Sequence, residues 1–169
     1  APLGAGPLPR PLEDAYQKIC AALVLAMGSL GVEAELTGGV VNLELPGPRT
    51  TVPCFEAPAG GEVVVRGRKL VGSAMRAHAG TILQHGAIVL DWDGRLQAGS
   101  MGLADDSALR PHITTLTDEL GRSPDRPEVQ DAVVAACSEE LGVAFEPGAL
   151  TADEESREHA LASSFLVSS

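Results

Sequence analysis

Two kinds of apolar periodicity predict that this chain folds into helices packed against a β-sheet. Apolar residues recur at helical spacing from Tyr16 to Leu30, and Gly31 follows them as a stop signal, so we expect a helix over about 12–30. Glu128–Leu141 has the same spacing and ends at Gly142. Short apolar runs typical of strands lie between these two segments. The sequence therefore predicts the α+β class, with a mixed β-sheet flanked by helices.

The strand signals lie between residues 32 and 90. We expect these elements in order: strands Val32–Leu36 and Glu62–Arg66, a tight turn at Gly67-Arg68, and strands Lys69–Met75 and Thr81–Leu90, the last broken at Gly86. Glycines and prolines in 38–53 predict a loop or an irregular strand pair, and we expect irregular chain between 94 and 110. A capping-box pattern at 151–154 predicts a last helix over Asp153–Ala162.

Charge and hydropathy argue against two classes of partner. The 169 residues include 12 Lys and Arg against 23 Asp and Glu, a net charge of −11, which disfavours the nucleic-acid backbone. The longest apolar run, Ile19–Met27, is far shorter than the ~20 residues of a membrane-spanning helix. We therefore expect neither nucleic acid nor a membrane as a partner. Arg66, Arg68, Lys69 and Arg76 nevertheless form a local basic cluster, which favours a small anionic ligand.

The three cysteines and the pair Asp91 and Asp93 are candidates for reactive or metal-binding groups. Three widely spaced cysteines predict neither a disulfide framework nor a zinc site and favour a reducing, cytoplasmic setting. Cys20 and Cys137 lie on apolar helix faces and are expected to pack as small hydrophobic residues. Cys54 lies in a loop near cations that can stabilise a nucleophilic thiolate, although composition and spacing alone favour packing. Asp91 and Asp93 would point to opposite faces of an extended chain, so we expect no metal site.

Lys69 lies in a run of glycines, small residues and cations over 67–74. Small residues let a ligand approach the backbone, and an ammonium can meet a carbonyl or phosphate oxygen, but a solvated hairpin lysine has the same pattern. His85 lies in an otherwise apolar strand, which is more typical of a hydrogen-bonded core histidine. The residues by themselves predict a small-ligand α/β domain.

Three motifs, in this order and spacing, resemble the biotin/lipoate protein ligase superfamily, and within it the lipoate–protein ligase A and octanoyltransferase branch. The motifs are Cys54-Phe-Glu-Ala-Pro58, Gly67-Arg-Lys-Leu-Val-Gly-Ser-Ala74 and Leu83-Gln-His-Gly-Ala-Ile88. The resemblance covers nearly the whole chain from about Pro7. It implies a biotin/lipoate ligase-like fold without the N-terminal part of the usual catalytic domain. The implied segments are a lead-in over 1–11, the catalytic portion over 12–122 and a helical segment packed on it over 123–169.

The resemblance implies roles for eight residues. Lys69 matches the family lysine that contacts the acyl carbonyl, and Cys54 matches the cysteine that carries an octanoyl thioester in the octanoyltransferase branch. Six residues are implied to line the substrate pocket: Gly72, Ser73, Ala74, Gln84, His85 and Gly86. Apolar strand residues are expected to wall an acyl tunnel: Val65, Leu70, Val71, Ile82 and Leu83.

The function implied by the resemblance is an acyltransferase of protein lipoylation. It would move an octanoyl or lipoyl group from a carrier-protein thioester through Cys54 to a lipoyl-domain lysine, with no cofactor. Expected partners are acyl carrier protein and lipoyl-domain proteins, such as the glycine-cleavage H protein and dehydrogenase acyltransferase subunits, with Arg66, Arg68 and Arg76 as the docking patch. Two alternatives stay open: a lipoate–protein ligase that uses ATP and Mg, and a noncatalytic subunit or fragment requiring a separate chain that supplies the N-terminal part.

Overall fold

The computed structural model describes residues 6–9, 11–37 and 61–165. The helices are α1 (Leu12–Ser29), α2 (Gly94–Ser100), α3 (Leu116–Leu120), α4 (Arg126–Leu141) and α5 (Ala152–Phe165), and a short 3₁₀ turn spans Arg110–His112. The strands are β1 (Glu35–Leu36), β2 (Val63–Val65), β3 (Arg68–His78) and β4 (Thr81–Ile88). Within these ranges, no helix has the length and hydropathy needed to cross a bilayer.

The four strands form one sheet in the order β1-β2-β3-β4, and each neighbouring pair is antiparallel. One isolated parallel bridge joins Lys69 to Ile113. Two turns connect β2 to β3 and β3 to β4, at Arg66-Gly67 and Ala79-Gly80, and all four residues have positive φ angles. Two positive φ values in succession define the hairpin turn that matches the twist of paired strands. The first hairpin is thus confirmed, but its turn lies one residue earlier than expected.

The core lies between the sheet and the helices α1 and α4. Its buried members come from both layers and are almost all aliphatic: Ala26, Met27, Val32, Val63, Val65, Leu70, Val71, Leu116, Val129 and Ala136. A second, smaller group packs Ile82 against Leu8 and Ala15 at the other end of α1. Because the chain has few aromatic residues, its core is filled by aliphatic strand residues that pack against alanine-rich helix faces.

The long helices are confirmed, and several smaller elements differ from the prediction. The capping box of α5 forms as expected, because Glu154 accepts from the Thr151 backbone and the Glu154 backbone donates to the Thr151 hydroxyl. The irregular chain expected over 94–110 was wrong for Gly94–Ser100, which form α2 with Asp93 as a cap that accepts from the Leu96 backbone, and it is confirmed for 101–109. Only Glu35–Leu36 of the expected first strand pairs, and β4 continues through Gly86 without a break. Residues 38–60 lie outside the described residues.

Gly86 in β4 has no room for a side chain beside β3. A methyl group on its Cα would lie 2.6 Å from the Gly72 carbonyl oxygen and 2.9 Å from the Ser73 Cβ. Gly86→Ala is therefore expected to destabilise the fold by about 1–3 kcal/mol, because backbone must shift to admit the methyl. Gly28→Ala in α1 meets nothing within 4 Å and is expected to stabilise by about 0.5 kcal/mol. Urea unfolding measures both, and equal effects would contradict the close packing at Gly86.

Candidate active site

Lys69 lies at the start of β3 in a buried ion pair. Its side chain is 2% exposed, and Nζ donates a hydrogen bond to Oε1 of Glu62 at 2.7 Å. Glu62 directly precedes β2 and is 4% exposed. Sequence reasoning missed Glu62, although the hairpin register could have found it: Lys69 pairs with Val64, and residues two apart on a strand share a face.

A β-bulge in β3 decides which way Lys69 points. Val64 pairs with Lys69, whereas the preceding Val63 pairs with Val71, so Leu70 is an extra residue in β3. Leu70 and Val71 both pack in the helix-side core with Val63, whereas Val64 is not part of that core. An extra residue offsets the alternation of side chains along a strand. Lys69 therefore shares its face with the even-numbered residues of β3 beyond the bulge.

That face also carries Gly72, Ala74 and His85, and we call it the site face. Ala74 pairs directly with His85 across the β3–β4 hairpin, so their side chains lie on one side of the sheet. Gly72 is half-buried, and Ala74 and His85 are exposed. Lys69 is thus a buried cation at one end of a strand surface that small residues keep open.

Ser73 and Gln84 lie on the opposite, helix-facing side of the sheet. The Ser73 hydroxyl shares a hydrogen bond of 3.0 Å with the Tyr16 hydroxyl of α1 and lies 3.9 Å from the Cys20 sulfur. Gln84 alternates with Ile82, which packs against α1, and its Oε1 is buried without a hydrogen-bond partner in the described structure. Gly86, opposite Ser73, has no side chain for either face. The structure thus divides the six predicted pocket residues between two sides.

The residues expected to wall an acyl tunnel belong to the helix-side core instead. Val65, Leu70 and Val71 pack there, and Ile82 packs against α1, since the bulge and the alternation direct all four to that side. Leu83 differs because it lies on the site face and is 68% exposed. Cys54, the predicted nucleophile, lies outside the described residues.

Two arginines of the expected docking patch share one carboxylate within the fold. Arg66 and Arg68 both form ion pairs with Glu119 of α3, whose side chain is buried, and Thr114 donates to the same carboxylate. Arg76 is exposed on β3. These arginines attach the β2–β3 turn to α3, so the patch presents less positive charge than its sequence predicts.

Asp91 and Asp93 both accept local backbone hydrogen bonds. Asp91 accepts from the Trp92 backbone, and Asp93 is the helix cap of α2. Among the described residues, no group of three or more His, Cys, Asp or Glu side chains could hold a metal ion.

The Cys20 thiol is predicted to be unreactive in the folded chain. Burial raises the pKa of the Cys20 thiol above its usual range, and the pKa of Cys137 shifts the same way for the same reason. A raised pKa lowers the thiolate fraction at any given pH, so both thiols should alkylate at least about tenfold more slowly in the native chain than in urea. Iodoacetamide labelling at mildly alkaline pH with peptide mass spectrometry measures this. Equal native and unfolded rates would contradict it.

The buried ion pair has a predicted cost when one partner is removed. Lys69→Met leaves the buried Glu62 carboxylate without this ammonium and is expected to destabilise the fold by about 3–5 kcal/mol, whereas Glu62→Gln combined with Lys69→Met recovers most of the loss. Arg122→Met, in the exposed pair with Glu128, serves as the control and should have little effect because solvent screens that pair. Denaturant unfolding measures all three, and a double variant no more stable than Lys69→Met would refute the pairing.

Comparison with known proteins gives a consistent result for most of the chain. Residues 6–138 match the family described as lipoyl protein ligase A/B catalytic domain. The chain is 32% identical to the octanoyltransferase LipM of Kyrpidia tusciae, over 95% of this chain and 61% of that protein. It is 36% identical to the octanoyltransferase LipM of Symbiobacterium thermophilum, over 88% of this chain and 57% of that protein.

A solved structure shares the fold. It is a bi-partite lipoate protein ligase, studied with its E2 lipoyl domain, from Thermoplasma acidophilum, with a TM-score of 0.62 and 20% identity. The match covers 86% of this chain and 52% of that one. The chain therefore spans between about half and three-fifths of the length of these proteins.

Proposed function

This chain belongs to the lipoyl protein ligase A/B catalytic-domain family, and we propose that it serves octanoyl transfer in protein lipoylation. The observation that carries the proposal is the site face, which has the buried Lys69 cation at one end and Gly72, Ala74 and His85 further along the same side of the sheet. The relatives named octanoyltransferases support the choice of reaction. A cytoplasmic location and the three-segment division of the chain stay predictions.

The reaction proposed has two acyl-transfer steps. In the first, the Cys54 thiolate attacks the carbonyl carbon of an octanoyl thioester, a new thioester forms on Cys54, and the carrier's thiol leaves. In the second, the amine of a lipoyl-domain lysine attacks the Cys54 thioester, an amide forms, and the Cys54 thiol is released. Negative charge develops on the same carbonyl oxygen in both steps, and the Lys69 ammonium would stabilise it. The transfer needs no cofactor.

The site face is suited to an extended alkyl chain. Gly72 has no side chain and Ala74 has only a methyl group, so an acyl chain can lie close to the backbone of β3. His85 would border that slot on β4. Three residues would support this slot from the helix-facing side of the sheet: Ser73, Gln84 and Gly86. The contacts with α1 and the close packing at Gly86 fix the position of the two strands. For these three residues, this supporting role is favoured over the direct contact with substrate that the resemblance implies.

The partner classes follow from the reaction. A thioester donor implies acyl carrier protein, and the T. acidophilum ligase, studied with an E2 lipoyl domain, supports lipoyl-domain acceptors. The ATP- and Mg-dependent ligase and the noncatalytic subunit are the alternatives. The bi-partite organisation of that neighbour favours testing the chain also with a separate N-terminal part, which the family resemblance implies.

The decisive measurement is the intact mass of the chain after incubation with octanoyl-acyl carrier protein. We expect an added octanoyl group that hydroxylamine removes and that Cys54→Ala abolishes, whereas Cys137→Ala, which changes a thiol of raised pKa, leaves it intact. Lys69→Met should slow adduct formation by about 100-fold, the cost of removing one oxyanion donor.

Three other outcomes separate the alternatives. An adduct that requires the added N-terminal segment would assign the chain to a split or longer transferase. Modification of the lipoyl domain only with ATP and free octanoate or lipoate would favour the ligase. No adduct under any of these conditions would refute octanoyl transfer.

A further inference from the structure

We propose that Glu62 is a positioning residue that aims the Lys69 ammonium at the acyl carbonyl. The inference rests on the proposed function, since it assigns Lys69 to the carbonyl oxygen. It adds a residue outside the three motifs that resemble the family. The observations that carry it are the burial of both charges, the 2.7 Å bond between them, and the fixed backbone of Glu62.

The first argument is the flexibility of a lysine side chain. Four methylene groups carry the ammonium, so many rotamers are available unless a partner selects one. Glu62 Oε1 accepts one of the three ammonium N–H bonds at 2.7 Å, which is the short distance of a charge-assisted hydrogen bond. One fixed N–H bond restricts the directions of the other two, which is what a preorganised oxyanion donor requires.

The second argument is that the N–H and the carbonyl of Glu62 are both hydrogen-bonded to Thr37. The Glu62 N–H donates to Thr37 Oγ1 at 3.0 Å, and the Glu62 carbonyl accepts from the Thr37 backbone at 2.9 Å. Glu62 is thus attached to the segment that follows β1, while Lys69 is on β3. The pair therefore joins the residue that directly precedes β2, whose backbone is bonded to Thr37, to the start of β3.

The third argument is the place of the carboxylate relative to the bulge. Glu62 and Val64 share the side of β2 that Lys69 faces across the hairpin, opposite the helix-side core of Val63 and Val65. Burying a carboxylate on this side of the sheet is costly unless a cation pairs with it. Here the charge lies beside the cation that the reaction would use.

Glu62→Asp is the variant that tests this role. It keeps the negative charge and withdraws the carboxylate by about one carbon–carbon bond, so the chain should fold while the ammonium loses its direction. We expect the turnover rate for octanoyl transfer to fall about 10- to 100-fold, as for a misplacement of about 1 Å, with the KM for the octanoyl carrier unchanged. Glu33→Asp, at an exposed residue before β1, is the matched control and should behave as wild type.

A double-mutant comparison distinguishes positioning from a structural role. If Glu62 acts only through Lys69, adding the charge-conserving Glu62→Asp to Lys69→Met changes the transfer rate per folded chain less than about twofold, whereas a role independent of Lys69 gives a further loss. A Glu62→Asp rate equal to wild type, in a chain where Lys69→Met is slow, overturns the positioning role alone. A wild-type chain without octanoyl transfer, alone or with the N-terminal segment, overturns the proposed function and this inference with it.

Discussion

The extra residue at Leu70 determines what this sheet can do. Strict alternation would place Lys69 on the same side as Val71, facing α1 and α4, where a cation would be buried among aliphatic side chains. The bulge turns Leu70 and Val71 together into that core and leaves Lys69 on the other side with Glu62. The bulge interrupts the regular hydrogen bonding between β2 and β3 at one residue. This loss is offset because Leu70 and Val71 are both buried in the core and the Lys69 charge is paired.

The sequence predicts the long elements well because their signals are local. Helical spacing and a glycine stop define α1 and α4, and paired strands with a tight turn define the β2–β3 hairpin. The position of the turn was off by one residue because Arg66 adopts a positive φ, which sequence rules reserve mainly for glycine and asparagine. The helix α2 was missed because it is only seven residues long and depends on one cap, Asp93.

The candidate residues can be named from the sequence, but the side of the sheet on which each one lies cannot. The adjacent apolar residues Leu70 and Val71 are the one sequence signal of the bulge. This signal is ambiguous, because a strand buried on both faces also has consecutive apolar residues. The ion pairing of the basic cluster was not predictable for a different reason. Its countercharge, Glu119, lies about fifty positions further along the chain, and a sequence window does not show pairs that only the tertiary fold brings together.

The two faces of the β3–β4 hairpin have complementary properties, and this explains why the motif residues alternate in kind. On the helix side, Ser73 and Gln84 lie against Tyr16 and Cys20, and burial raises the pKa of both the Tyr16 and the Cys20 side chains, so the contact stays uncharged and closely packed near neutral pH. On the site face, the small residues leave the backbone accessible. In the proposed reaction an acyl chain lies against the backbone of this strand, so the strand cannot be stiffened from that side, because any larger side chain would occupy the slot. Its rigidity therefore has to come from the helix side and from the Glu62–Lys69 pair at its end.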